Sequence, residues 1–535
     1  MEYTLLFPVL VAALLLIVAT RVVVHRLYTH PLAAFPGPKL AAGTFLYEFY
    51  YDVIKNGVYI WEIERMHKKY GTLYPNSRLK YQSSTPLTKT KPNTGPIVRI
   101  SPRELHIKDP YFYEEIHAGP SKKRARDPKY AVAFAAPYSL VGTIGHEHHR
   151  LRRSFVNNFF SKRSVTNLTP VIHEKVDKLI HRFETAFANS TVLTLQLDFA
   201  ALTADVITHY CYGWARGYLD NADSSKSNDL VDAVNGLMTM FHINRFFPFL
   251  SKIMLAAPPA LVRWLQPCMA DLFDMKARLR DQARYTLEKR ENLHDVKVKE
   301  ENYIFDALTG PEVPDAEKTL DRLEDEGALL LGAGTETTAR AIAVSMFHVM
   351  SNAEVGRKLL CELKTILETP TSQASWLELE QLPYLTGVVN EGLRLSHGMT
   401  SRLGRISTKA HIPYKGWIIP AGTPISQSNY FVHMDETLFP DPHRFDPERW
   451  ARAAKNGDYL GRFIVSFTKG SRQCLGMNLA YAEIFLTLAH VVRRFEFEPY
   501  ETTVDNICVY RDLGIGCPKR GLFDVKAKVK AIIKT

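Results

Sequence analysis

One ten-residue stretch, Phe467-Thr-Lys-Gly470-Ser-Arg472-Gln-Cys474-Leu-Gly476, constrains this chain more than any other. It frames Cys474 with Gly476 and Gly470, places Arg472 two residues before it and puts an aromatic, Phe467, further upstream. Glycines let a backbone pass close to a bulky flat object and take turns that side chains forbid. An arginine offers a fixed fork of donors to a carboxylate. A cysteine with backbone N–H groups turned towards its sulfur can stay a thiolate and bind a metal. A lone free cysteine is ordinarily a small buried hydrophobe. The full pattern around Cys474 argues for a ligand instead.

The length, 535 residues with 46% hydrophobic content, supports a large core. Net charge is +11, without the like-charge run of a nucleic-acid arm. Membrane-surface attraction or an acidic protein partner is the better use for that charge. The six cysteines are far apart and form no C-x-x-C pair, which argues against a disulfide framework or a zinc site. Thr4 to Val24 is an almost uninterrupted apolar run of about 21 residues, enough to cross a bilayer core of roughly 30 Å. Only Glu2 is charged before it, whereas Arg21, His25, Arg26 and Lys39 follow, so the body is expected on the cytosolic side of an uncleaved anchor. Residues 1–28 are thus an anchor. Residues 29–40, which contain Phe35-Pro-Gly-Pro38, form a stiff elbow, and 41–535 form the body, long enough for one large domain or two to three smaller ones.

Helical patterns dominate the middle of the chain: His173–Ala188, Leu230–Met240, Leu261–Glu291, Leu320–Met350 and Val355–Leu367. Short strand-like pieces occupy roughly 400–450. The helix over Asp321–Met350 has an acidic start, suited to the helix dipole. Its middle, Gly332-Ala-Gly334-Thr-Glu336-Thr337-Thr338, is poor in helix formers. A packing contact would explain that; so would a local widening that lets a small molecule sit in the groove.

The cysteine loop matches the heme-binding loop of the cytochrome P-450 family, Phe-x-x-Gly-x-Arg-x-Cys-x-Gly, at every fixed position. The resemblance implies a mainly α fold with small β-sheets, a triangular helical prism around heme b with Cys474 as thiolate ligand of the iron. Ala333 to Thr338 resembles the family's central-helix pattern, which assigns Glu336 and Thr337 to proton delivery. Glu391, Arg394 and Arg449 would form a buried structural ion triad. Heme propionates would be seated by Arg472, Arg402, Arg152 and His148, with Phe467, Gly470 and Gly476 also in the cofactor loop. Lys469, Arg150 and Arg153 are expected on the same face as a basic patch for an acidic electron donor. No G-x-G-x-x-G fingerprint is present, so electrons must come from another protein. By resemblance that is a membrane-bound NADPH–cytochrome P-450 reductase, with cytochrome b5 as a second donor. Substrate-facing positions are expected in Tyr130–Ser139, Leu329–Ala333 and His397–Ser401.

Thr72 to Gly95 interrupts the family's Tyr-Gly-Pro-Ile/Val-Val-Arg-Ile wording, and removing it restores the join. It reads as a surface insertion or a retained intron, and amplification of the mature transcript distinguishes the two. The wording of His30–Lys39, Gly95–Ser101 and Leu393–Arg402 is similar to filamentous-fungal members. The last segment resembles trichodiene-oxygenase-like enzymes of secondary metabolism. The expected activity is a monooxygenase of the endoplasmic reticulum membrane that hydroxylates or epoxidises a hydrophobic metabolite, with a terpenoid favoured. The alternatives are an isomerase or dehydratase on the same fold, working without reductase, and a non-catalytic heme- or lipid-binding membrane protein.

Overall fold

The apolar run folds as a helix, Glu2–Val24, in a computed structural model that describes residues 2–70, 96–220, 228–250, 253, 257–265, 267–291 and 303–534. The expected insertion, Thr72–Gly95, lies outside the described residues. Phe7–Thr29, with mean hydropathy 2.6 and no part buried, is long and apolar enough to cross a membrane. Where this helix meets the body the joint is tight. Arg26 Nη1 donates to the Gly43 carbonyl at 2.9 Å, and Arg99 Nη1 donates to the Arg26 carbonyl at 2.8 Å. The proline-rich elbow is packed as well: Leu32 is buried, and the Phe35 ring stacks on Trp417 at 4.6 Å.

The body is built on the central helix Leu320–Ser351, whose first turn is capped by the Thr319 hydroxyl accepting from the Arg322 N–H. Residues Thr338 to Phe347 of this helix are buried on every side, as suits a helix at the middle of a bundle. Around it pack Lys162–Ala188, Leu195–Tyr212, Asp229–Phe246, Pro267–Glu291, Pro383–Ser396 and Met477–Arg494. Lys162–Ala188 begins earlier than the pattern predicts because Pro170 lies inside it and Ser161 supplies its cap. Ala353–Leu363 stops short of the predicted Leu367. Leu195–Tyr212 is absent from the periodicity because it is buried nearly all round and shows no polar stripe.

The central helix runs as an unbroken α-helix, so the anticipated widening at Gly332–Thr338 is not there. Its glycines answer to packing instead. A Cβ on Gly334 would meet Ile207 of the neighbouring helix at 2.8 Å, and one on Gly332 would approach Val234 at 3.2 Å.

Of the strand-like pieces after residue 400, Ile412–Tyr414 and Trp417–Ile419 pair as a hairpin, and two others join a five-stranded sheet in the order Ile97–Arg99, Leu105–Ile107, Pro424–Ser426, Arg405–Ile406, Ala125–Arg126. Leu105–Ile107 and Pro424–Ser426 run parallel; the other pairs are antiparallel. At one edge this register sets Arg126 directly against Arg405.

Candidate active site

The cysteine loop precedes the helix Met477–Arg494 and closes on itself, with the Cys474 N–H donating to the Phe467 carbonyl at 2.8 Å. Gly470 stands at φ +71°, and a Cβ there would lie 2.1 Å from the His117 carbonyl and 2.3 Å from that of Ala118. No other residue fits this turn without moving backbone. Gly476 differs: its φ is ordinary, and a Cβ would meet only Phe160, at 4.0 Å. Its backbone N–H bonds the Cys474 sulfur. Burial pushes the Cys474 thiol up, while this hydrogen bond and the nearby Arg153 charge pull it down.

Cys474 borders a cavity of about 280 Å³ whose opposite wall is the central helix. Leu330, Ala333, Gly334 and Thr337 form that wall, and Cys474, Ala333 and Thr337 have open surface. The Thr337 hydroxyl donates to the Ala333 carbonyl at 2.8 Å. Of the expected substrate-facing segments, Phe134, Leu329, Leu330, Ala333, Gly398 and Met399 border the cavity.

Beside the cysteine loop the cavity is rimmed by four arginines, Arg126, Arg153, Arg405 and Arg472, and by His149, which burial and these charges push down to about 2 and leave neutral. Arg472 donates to the carbonyls of Thr143 and Ile144, both at 2.7 Å, and of Gly145 at 3.1 Å. Arg405 donates only to the Leu403 and Gly404 carbonyls. Buried N–H groups on Arg126 (Nε and Nη1), Arg405 (Nη2) and Arg472 (Nε) find no partner among the described residues. Burial pushes Arg472 down to about 9 and Arg405 to about 10, and their mutual repulsion adds to the effect on Arg472. Three buried guanidiniums with no paired carboxylate among the described residues require an anion. A flat group bearing carboxylates, with a metal over Cys474, suits this donor set, as heme does.

Several expected positions lie elsewhere. Arg402 is turned into a separate buried cluster, bonded to Glu48 at 2.6 Å and Asp52 at 3.3 Å. Arg405, three residues on, takes the place at the cavity. His148 and Arg152 face Glu317, at 2.6 and 2.8 Å, whereas the adjacent His149 and Arg153 border the cavity. The helix His146–Val156 carries three overlapping His-x-x-x-Arg frames, starting at His146, His148 and His149, and packing selects the last. Arg153 therefore leaves the expected surface patch and donates to the Gln473 carbonyl at 2.7 Å; Lys469 stays half-buried and Arg150 exposed. Glu336 and Thr337 point apart. The Glu336 carboxylate is buried on the far side of the helix, where Gln196 Nε2 donates to it at 2.9 Å and burial raises its pKa.

Glu391 and Arg394 form a bidentate pair at 2.8 and 2.9 Å, and Arg449 approaches the same carboxylate at 3.5 Å, all three buried. Two acids that border the cavity, Glu326 and Glu483, were not anticipated. Glu483, on the cysteine-side helix, is buried, hydrogen-bonded to Thr338 and held well above the usual carboxylate range by burial. Its signal in the sequence is slight: one glutamate in an apolar helical run.

A family model described as Cytochrome P450 matches residues 80–522. The chain is 43% identical over 497 residues to conidiogenone synthase PchP450 of Penicillium rubens, covering 93% of this chain and 94% of that protein. It is 40% identical to cytochrome P450 monooxygenase aflU of Aspergillus parasiticus, covering 97% of both. It is also 40% identical to cytochrome P450 monooxygenase TRI4 of Trichoderma arundinaceum, covering 93% of this chain and 90% of that one. The protein belongs to the cytochrome P450 family, as an oxidoreductase of the monooxygenase kind that uses a heme-thiolate iron, dioxygen and NADPH-derived electrons from a separate reductase.

Proposed function

We propose that this enzyme inserts one oxygen atom from dioxygen into a terpenoid secondary metabolite, by hydroxylation or epoxidation, at the cavity between Cys474 and the central helix. The observation that carries this reading is the makeup of that cavity: an apolar wall of Leu330, Ala333 and Gly334 faces a cation-rimmed thiol. Hydrocarbon rings are recognised by such a wall. The likeness of Leu393–Arg402 to trichodiene-oxygenase-like enzymes supports a terpenoid.

Heme, when bound, supplies the oxidising chemistry. Cys474 would ligate its iron, and Arg126, Arg405, Arg472, His149 and Arg153 would hold its carboxylates. Thr337 is the proton donor at the cavity, its hydroxyl free to turn from the Ala333 carbonyl towards the reacting oxygen. Glu336 backs it from the far side of the helix, its pKa raised by burial and its carboxyl oriented by Gln196. Glu391, Arg394 and Arg449 keep the loop's support rigid. In this reading the apolar N-terminal helix holds the enzyme in the endoplasmic reticulum membrane with its body in the cytosol, the charge pattern around that helix supports this side, and the reductase is the main electron donor with cytochrome b5 as an additional one.

The test uses the full chain in microsomes with reductase, NADPH, terpene scaffolds and isotopically labelled dioxygen. Products carrying one labelled oxygen atom, formed only with NADPH, are expected. Turnover without NADPH, or with no label gained, identifies an isomerase or dehydratase instead.

A further inference from the structure

Among the described residues no tyrosine or tryptophan borders the cavity, but two phenylalanines that do, Phe160 and Phe467, each touch a tyrosine behind them. The two tyrosines are placed differently. Tyr210, against Phe160 at 5.9 Å, is buried, and its hydroxyl donates to the Phe159 carbonyl. Tyr481, against Phe467 at 5.2 Å, is half-buried. Its hydroxyl makes no hydrogen bond among the described residues and is not sealed from solvent. A tyrosine packed into a core ordinarily finds a bond for its hydroxyl. Here the fold would lose none if the residue were phenylalanine.

The path continues in both directions from Tyr481. Inward, Phe467 belongs to the cysteine loop itself, its carbonyl accepting the Cys474 N–H at 2.8 Å. Outward stands a second phenol. Burial and the neighbouring Tyr459 push Tyr481 up to about 12, and Tyr459 has 80% of its surface in solvent. Phe467, Tyr481 and Tyr459 thus lead from the cavity to the surface. A phenol can do what a phenylalanine ring cannot: yield an electron together with its proton. An enzyme that makes an oxidant able to attack C–H bonds needs an outlet when no substrate is in place. Without one the oxidant consumes its surroundings, and a cysteine sulfur is driven up the oxidation ladder beyond recovery.

We propose that Tyr481 and Tyr459 form an outlet for oxidising equivalents that have found no substrate. Tyr481 gives one electron towards the cofactor across the Phe467 ring and its phenolic proton to water. Tyr459 then restores Tyr481 with an electron and, through water, a proton, which moves the radical to the surface. There a small cellular thiol replaces the lost hydrogen atom. Over two passes two thiols become one disulfide, and the oxygen atom that no substrate took leaves as water. Tyr210, its proton held by a carbonyl, is a dead end. The inference rests on the oxygenase reading above.

The experiment mixes the full-length, heme-loaded protein with peracetic acid in the absence of substrate. One sample is frozen for electron paramagnetic resonance; another contains a nitroso spin trap and is digested for peptide mass spectrometry. In the wild type a tyrosyl signal and a trap adduct on Tyr459 are expected, and glutathione added with the peracid abolishes both. Y481F is expected to lose the Tyr459 adduct. Y459F should keep a tyrosyl signal, now on Tyr481, that glutathione no longer abolishes. Y210F should behave as the wild type. With NADPH, reductase and no substrate, Y481F and Y459F should both lose heme absorbance faster than the wild type. Neither substitution removes a hydrogen bond, so both should retain the thiolate-type spectrum of the reduced carbon monoxide complex. The inference is overturned if the wild type gives no tyrosyl signal, if the Tyr459 adduct persists in Y481F, or if heme loss is unchanged in both variants. The oxygenase reading fails by a different sign, a wild-type carbon monoxide complex without the thiolate-type spectrum, and takes the outlet with it. With that spectrum present, a missing tyrosyl signal sinks the outlet alone.

Discussion

Arg402 and Arg405 are three residues apart, equally buried, and have opposite fates. Arg402 joins Arg245, Glu48 and Asp52 in a cluster supplied by the protein's own carboxylates, with Arg245 stacked on Tyr130 at 4.3 Å. Arg405 joins Arg126 and Arg472 in a cluster of like charges paired with no carboxylate among the described residues. The first cluster has its counter-charges within the fold and serves stability. The second is complete only with an anion from outside the chain, which marks it as a binding site. Burial alone separates neither case; the presence of a counter-charge does.

Breaking the first cluster should have the largest effect. Arg402→Met leaves Glu48 and Asp52 underpaired in the interior and is expected to destabilise the protein by about 3–5 kcal/mol, with or without heme, in denaturant unfolding. Arg405→Met or Arg472→Met should invert the pattern. Heme retention should fall by roughly tenfold to hundredfold, measured by competition with apomyoglobin, while the heme-free chain becomes no less stable. A heme-free chain that unfolds as readily as Arg402→Met would remove the distinction.

An unpaired acid sharpens the same rule. Glu483 has no cation in an ion pair with it among the described residues, and burial raises its pKa well above the unfolded value. The folded state therefore holds a proton that the unfolded state has released. Its stabilising contribution is whole below the unfolded pKa and is lost as pH rises towards the folded one. Glu483→Gln keeps a neutral group beside Thr338, so its thermal stability should gain on the wild type by about 1 kcal/mol per pH unit over that window. The smallest effect belongs to His148→Ala, with half of its ring in solvent: below about 1 kcal/mol, and no change in the heme spectrum. His149→Ala, one residue on, should lower heme retention.

These contrasts also show what could be read from the chain beforehand. The cysteine loop was legible because a turn at φ +71° between two carbonyls admits only glycine, so geometry is written into residue type. The apolar N-terminal helix and the long central helix were legible from length and pattern. Direction was not. Neighbouring residues on a helix differ by about 100° in where they point, and nothing in His148–Arg153 says which frame faces inward. The same ambiguity sent Glu336 to the back of its helix. Arg402 and Arg405 are chemically identical, and only sheet register, Arg405 against Arg126, selects between them.

The joint at Arg26 has a consequence for the whole molecule. Two hydrogen bonds clasp the end of the anchor to Gly43 and Arg99, and Gly43 is close enough to Val23 that an added Cβ would touch it at 3.4 Å. An attachment of that kind behaves as a bracket, not a tether. The direction of the N-terminal apolar helix and the attitude of the body are then one mechanical variable, so whatever turns the one re-aims the other.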